Sequence, residues 1–185
     1  MESFNVFNRP LRIRPATQLD LDWLVDVDRR DEGVAWTNPR QWTDSEVRDH
    51  RRLVHSLIDA DGARIAELDG VAIGTIMWRV RNLARTDPAH VFRQLDASLF
   101  PADGMFVEIF QLWVDPARRR RGVATALKCE VEAMARTRAI GLIYTHTEAS
   151  NSHVLELNAK LGYREVRRGP IWDDIVRVSL VKRLQ

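Results

Sequence analysis

The stretch "VDPARRRRGVATAL" (Val114–Leu127) decides how the chain is read. It closes an apolar run, breaks at Asp115-Pro116, passes through four arginines (Arg118 to Arg121) and enters a helical pattern at Gly122. That order of strand, proline, basic loop, glycine and helix leaves the first N–H groups of the helix without intrahelical acceptors, turned toward the loop. Such a terminus behaves as about half a positive charge and takes up phosphate groups. Gly122 keeps a Cβ out of a ligand's way, and Ala124 and Thr125 are small. A nucleic-acid patch and a plain solvated loop are the competing readings. A nucleic-acid face calls for more cations alongside, yet the following helix mixes signs, with Glu130 and Glu132 before Arg136 and Arg138.

The bulk numbers agree. The chain has 185 residues, 45% hydrophobic and 29% charged, a balance suited to one folded domain over residues 1–185. A net charge of +2 supplies no field that draws in nucleic acid or an acidic membrane, so neither is expected as a partner. The only cysteine, Cys129, leaves no internal disulfide and suits a reducing compartment, so the expected location is cytoplasmic. "ESFNVFNRPLRIR" after Met1 has no basic n-region or apolar h-region, so no signal peptide is expected. No apolar run approaches the roughly 20 residues that span a bilayer.

Patterning gives the order βααβββαβαββ. "LRIRPAT" alternates and opens as a strand. Thr17 with Asp20, and Thr43 with Glu46, start two helices in the capping-box pattern, with stripes Leu21, Leu24, Val25 and Val47, Val54, Leu57, Ile58. "WTNPRQW" separates them. Asp69-Gly70 joins "ARIAELDG" to "VAIGTIMWRV" as a hairpin. The long segment from Arg81 to Gly104 is a candidate lid or substrate-contact element. "MFVEIFQLWV" (Met105–Val114) is the strongest strand. The helix after Gly122 lines up Val123, Leu127, Val131 and Met134. "LIYTHTE", the helix "NSHVLELNAKLG" ending at Gly162, and a closing pair of strands complete an α/β (α+β) fold. Its sheet is mixed and mostly antiparallel, about seven strands flanked by about four helices.

"RRRGVA" (Arg119–Ala124) fits a Q/R-x-x-G-x-G/A signature, after the strand end "LWVDP" and before "NSHVLELNAKLGY" (Asn151–Tyr163). With "IRPATQLDLDWL" near the start, this resembles the GNAT family of N-acetyltransferases over about residues 11–184. The resemblance implies acetyl-CoA as acetyl donor, a primary amine of a small molecule or peptide as acceptor, no metal, and direct transfer. Dimers are common among similar proteins, and a homodimer stays open. The alternative is a catalytically inactive CoA-binding regulatory module.

The resemblance also implies roles. Backbone N–H groups of Arg119, Arg120, Arg121, Gly122, Val123, Ala124 and Thr125 would hold the CoA pyrophosphate, with Arg119 or Arg121 adding side-chain contacts. Leu112, Trp113 and Val114 match the strand that pairs with pantetheine, the Leu112 N–H polarising the thioester carbonyl. Asn151 matches a pantetheine contact and also suits a helix N-cap. Glu108 matches the general base of related histone acetyltransferases. An alkyl amine with a pKa of about 10.4 is almost wholly protonated near neutral pH, a handicap of about 4 kcal/mol that a base must offset. A partner for an arginine is the other reading of Glu108. Where many members carry a tyrosine acid, seven residues after the asparagine, this chain has Asn158, too weak an acid but placed to hydrogen-bond CoA. Structural or solvent-facing roles are expected for His146 and His153, a core role for Cys129, and packing for Trp36, Trp42 and Trp172. Asp173 and Asp174 are candidates to attract a cationic acceptor.

Overall fold

The structure, a computed structural model, describes residues 10–31, 42–86 and 90–184. The chain divides into two compact units, one within Met1–Met77 and Gln111–Leu127, the other Trp78–Phe110 with Lys128–Gln185. Most of the expected break at 36–42, Trp36 included, lies outside the described residues.

Seven strands form a sheet in the order β1-β2-β3-β4-β5-β7-β6. They are β1 (Arg12–Pro15), β2 (Ala63–Leu68), β3 (Val71–Asn82), β4 (Met105–Val114), β5 (Leu142–Glu148), β6 (Arg164–Gly169) and β7 (Arg177–Arg183). β4 and β5 are parallel, whereas β1–β2, β2–β3, β5–β7 and β6–β7 are antiparallel. The α-helices are α1 (Leu21–Asp31), α2 (Asp44–Asp59), α3 (Val123–Thr137) and α4 (Ser152–Lys160). The α+β class and the mixed sheet are as the patterning predicts.

In the first unit the local signals act where they stand. The Asp20 carboxylate accepts from the Thr17 N–H at 2.7 Å, heading a short 3-10 turn (Gln18–Asp20) that leads into α1. The helix proper therefore starts one turn later than the capping pattern alone suggests. Thr43 and Glu46 close a full capping box on α2. Asp69 and Gly70 both hold positive φ (56° and 77°), the requirement of a tight hairpin turn. Leu24, Val25, Val54 and Leu57 are buried, as their stripes predict. At Gly74 of β3 an added Cβ would lie 3.1 Å from the Trp113 carbonyl oxygen and 3.2 Å from Val123 Cγ1. A side chain there would require the strand or the helix to give by a few tenths of an ångström.

In the second unit the segment after β3 corrects the reading of a lid. It forms three 3-10 turns (Leu83–Arg85, Val91–Gln94, Ala97–Leu99). Its Val91, Phe92, Leu95, Leu99 and Phe100 are buried with Phe106, Leu142, Tyr144 and Val181. Phe92 meets Phe106 and Tyr144 edge-to-face at 4.9 and 4.7 Å, so the segment builds core rather than covering a site. α4 also departs from expectation. Its buried residue is the polar Asn158, while Val154, Leu157 and Leu161 are half-buried.

Gly74→Ala places a methyl group against a backbone oxygen and a helix residue that cannot easily retreat. Overpacking of this kind costs about 1–3 kcal/mol. Thermal unfolding is expected to show a Tm lowered by several degrees; an unchanged Tm would show that β3 and α3 separate freely.

Candidate functional site

The first unit carries the signature loop. Asp115 accepts from the Ala117 N–H at 2.9 Å and starts a 3-10 turn (Pro116–Arg118) that ends β4. The chain then turns through Arg120 (φ 62°) and Gly122 (φ 83°) into α3. At Gly122 an added Cβ would meet nothing within 4 Å, so glycine is required by the left-handed backbone and not by crowding. The first helical hydrogen bond runs from the Ala126 N–H to the Gly122 carbonyl at 2.9 Å. The N–H groups of Val123, Ala124 and Thr125 are thus left at the open end of the helix, where an anion is favoured. Arg119 donates from Nε to the Val114 carbonyl at 3.0 Å, tying the loop to the end of β4. Arg119, Arg120, Arg121, Gly122 and Thr125 are exposed, Ala124 is half-buried and Val123 is core. Leu112 and Trp113 are half-buried and Val114 is buried. Trp113 meets Trp23 edge-on, with ring centroids 6.0 Å apart.

The second unit carries Glu108, His146, Asn151 and Asn158. β4 pairs with β5 through Val107↔Ile143, Glu108↔Tyr144 and Ile109↔Thr145. Glu108 is only 3% exposed. Its Oε2 accepts from Arg81 Nε at 2.8 Å and lies 3.3 Å from Arg79 Nε. Among the described residues Oε1 meets no protein donor. Burial pushes the His146 imidazole down to about 4, and its Nδ1 has no hydrogen-bond partner. It is neutral near pH 7, beside Tyr144 and under Trp172, whose ring lies edge-on at 5.2 Å. Asp173 is taken up by Arg177, which lowers the Asp173 pKa by hydrogen bonding.

Asn151 caps α4, its Oδ1 accepting from the Val154 N–H at 3.3 Å. Asn158 is engaged at both ends, accepting from Lys128 Nζ at 2.7 Å and donating to the Val154 carbonyl at 2.9 Å. Lys128 is 1% exposed and lies 3.9 Å from the centre of the Tyr163 ring. Burial pulls its ammonium down to about 7, against the opposing pull of Glu132. The sequence reading overlooked Lys128, Arg79 and Arg81. Arg79 and Arg81 alternate with Val80 in an apolar strand, a period-two signal that was there to be read. Lys128 carries no comparable mark.

The Lys128 pKa is depressed on folding, so the unfolded chain binds more protons between about pH 7 and pH 10.5, and stability rises with pH in that window. Lys128→Met removes this term. The stability difference between Lys128→Met and the parent protein is therefore expected to shift steadily against the variant from pH 7 to pH 10, read by urea unfolding. A constant difference would mean that Lys128 keeps an ordinary pKa.

No helix among the described residues is long and apolar enough to cross a membrane, and no group of metal-ligating side chains is found among them. No curated protein sequence matches the chain. Its fold is similar to Arabidopsis thaliana NAA60 in complex with a bisubstrate analogue (TM-score 0.69, 20% identity, 94% of this chain and 98% of that one). It is also similar to yncA, a putative acetyltransferase from Salmonella typhimurium with its cofactor acetyl-CoA (0.68, 17%, 95% and 95%). A third likeness is to a ribosomal-protein-alanine N-acetyltransferase from Brucella melitensis (0.67, 17%, 94% and 99%). Residues 24–163, which span the signature loop, Glu108 and α4, match the acetyltransferase (GNAT) family. The chain belongs to the GNAT acetyltransferase family.

Proposed function

We propose that the protein transfers the acetyl group of acetyl-CoA to a primary amine by direct attack, both substrates bound together. The observation that carries this reading is the open N-terminus of α3, with the N–H groups of Val123, Ala124 and Thr125 beyond a loop of four arginines. Those donors suit a pyrophosphate, with Arg119 or Arg121 adding a cationic side-chain contact to it. Acetyl-CoA supplies the activated thioester. Leu112, Trp113 and Val114 are assigned to its pantetheine arm, the Leu112 N–H serving as an oxyanion donor. Asn151, at the start of α4, and Asn158, within it, are assigned to CoA contacts on the strength of the resemblance.

Glu108 is assigned to the amine. Arg79 and Arg81 crowd one carboxylate oxygen. The other oxygen has no protein donor among the described residues, and it is the one we assign to the incoming nitrogen. Binding both reactants together supplies rate through proximity. The alternative of an inactive CoA-binding module finds no support in the comparisons, which include proteins named as acetyltransferases.

Acetyl-CoA at about 100 times its Kd is expected to add about 2.7 kcal/mol to the unfolding free energy, seen as a Tm shift of several degrees. Gly122→Val forces a branched residue into positive φ and is expected to weaken acetyl-CoA binding at least ~10-fold. Acetyl-CoA without effect on Tm would sink the reading. With acetyl-CoA binding retained, Glu108→Gln is expected to lower kcat by about 10²–10⁴-fold across an amine panel. An unchanged kcat would assign proton removal to another group.

A further inference from the structure

Glu108 is outnumbered. Two guanidinium groups crowd a single carboxylate oxygen: Arg81 donates to it from Nε at 2.8 Å, and the Arg79 Nε lies 3.3 Å away. Their outer Nη groups meet no protein acceptor among the described residues. The Arg79 Nε itself is buried without a hydrogen bond. Each cation is backed by an aromatic ring, Arg79 over Phe110 at 4.8 Å and Arg81 over Phe92 at 5.9 Å, which holds the forks in place. The side chains keep 31% and 27% of their surface exposed, so the Nη ends stay accessible from solvent. Around them, Arg177 is neutralised by Asp173, Arg167 donates to the Gly169 and Pro170 carbonyls, and His146 is neutral. The balance at Glu108 is one surplus positive charge carrying unfilled donors.

We propose that Arg79 and Arg81 form an oxyanion receptor for the acceptor substrate, which is therefore an amine that also bears a carboxylate or phosphate a few bonds from its nitrogen. This deepens the reading above and rests on Glu108 as the amine's partner. The face combines one carboxylate with two guanidinium groups, complementary to a zwitterion whose nitrogen meets Glu108 while its acid meets an Nη fork. An acceptor with cationic groups only, such as a polyamine or a lysine side chain, meets net repulsion there. Paired N–H donors in a fixed fork favour a planar or tetrahedral oxyanion over a neutral amide or hydroxyl.

The test compares matched pairs: β-alanine with β-alaninamide, and aminoethyl phosphate with ethanolamine. Turnover with acetyl-CoA is expected to favour the acid member of at least one pair by roughly 10- to 100-fold in kcat/KM. The pair that responds identifies the oxyanion as carboxylate or phosphate. A second readout needs no turnover. With CoA already bound, β-alanine is expected to raise the Tm more than β-alaninamide does, and the difference is expected to vanish in Arg79→Gln and Arg81→Gln while persisting in Arg52→Gln, an exposed arginine paired with Asp49. Arg79→Lys, which keeps the charge without the fork, is expected to retain part of the preference and guards against a folding defect in the glutamine variants. Equal responses to acid and amide in both readouts, or a preference untouched by Arg79→Gln and Arg81→Gln, overturns the receptor. Absence of any Tm shift with CoA itself instead marks failure of the acetyl-transfer reading, because the arginine pair takes no part in that binding.

Discussion

At Gly74 the backbone of β3 comes within reach of the Trp113 carbonyl on β4 and of Val123 and Leu127 on α3. The missing side chain lets the first two turns of α3 settle directly against the strand, and the placement of the helix start follows from it. Val123 and Leu127 are fully buried there, so the helix is held by its apolar stripe. The next residues toward the N-terminus have no such anchor and must turn through positive φ at Gly122 and Arg120 to rejoin β4. A fixed strand end and a fixed helix start, joined by a short arginine loop, leave backbone donors at a defined place in the first unit. Helix donors bind anions well only when the helix itself does not move.

The second unit solves a different problem, the burial of charge. Lys128 is inside, against the Tyr163 ring and the Asn158 amide, and burial brings its ammonium close to neutrality near pH 7. Glu132 is likewise buried but ionically matched, with Lys182 Nζ at 2.7 Å from both its oxygens. Asn158 connects this network to α4 through the Val154 carbonyl. At the position where the resemblance leads one to expect a tyrosine acid, the chain has instead an amide whose oxygen accepts from a buried lysine. The substitution reads as structural once Lys128 is in view, which no inspection of α4 by itself reveals.

What the sequence disclosed was local. Thr43 with Glu46, Asp69-Gly70 and the arginine loop each work through bonds made within a few residues, and each stands where the pattern put it. The ten-residue strand Met105–Val114 was legible from its unbroken apolar character. What stayed hidden depends on cross-strand or cross-helix adjacency. The segment after Arg81 looked like a lid because its turns and prolines suggest a loop; its phenylalanines become core only when Phe106 and Tyr144 are set beside them. Glu108 is 27 residues from Arg81 in sequence and 2.8 Å away in space, a pairing that composition and spacing cannot supply.

The choice of cation at the two sites is itself informative. Beside Glu108, partly open to solvent, the chain uses arginine, whose guanidinium stays charged under any physiological condition and presents donors in a fixed plane. In the closed network below Tyr163 it uses lysine, whose proton can be given up when desolvation outweighs attraction. Exchanging them would fail in both directions. Arginine at position 128 would force a permanent charge into a space that is 1% exposed, with Glu132 already committed to Lys182. Lysines at positions 79 and 81 would leave Glu108 with two mobile point charges in place of two oriented forks. The positive side of the Glu108 face is thus built from two guanidinium groups, with His146 beside it made neutral by burial. Those two charges meet an incoming amine across the physiological range, and discrimination among amines then falls to the charges that the amines carry.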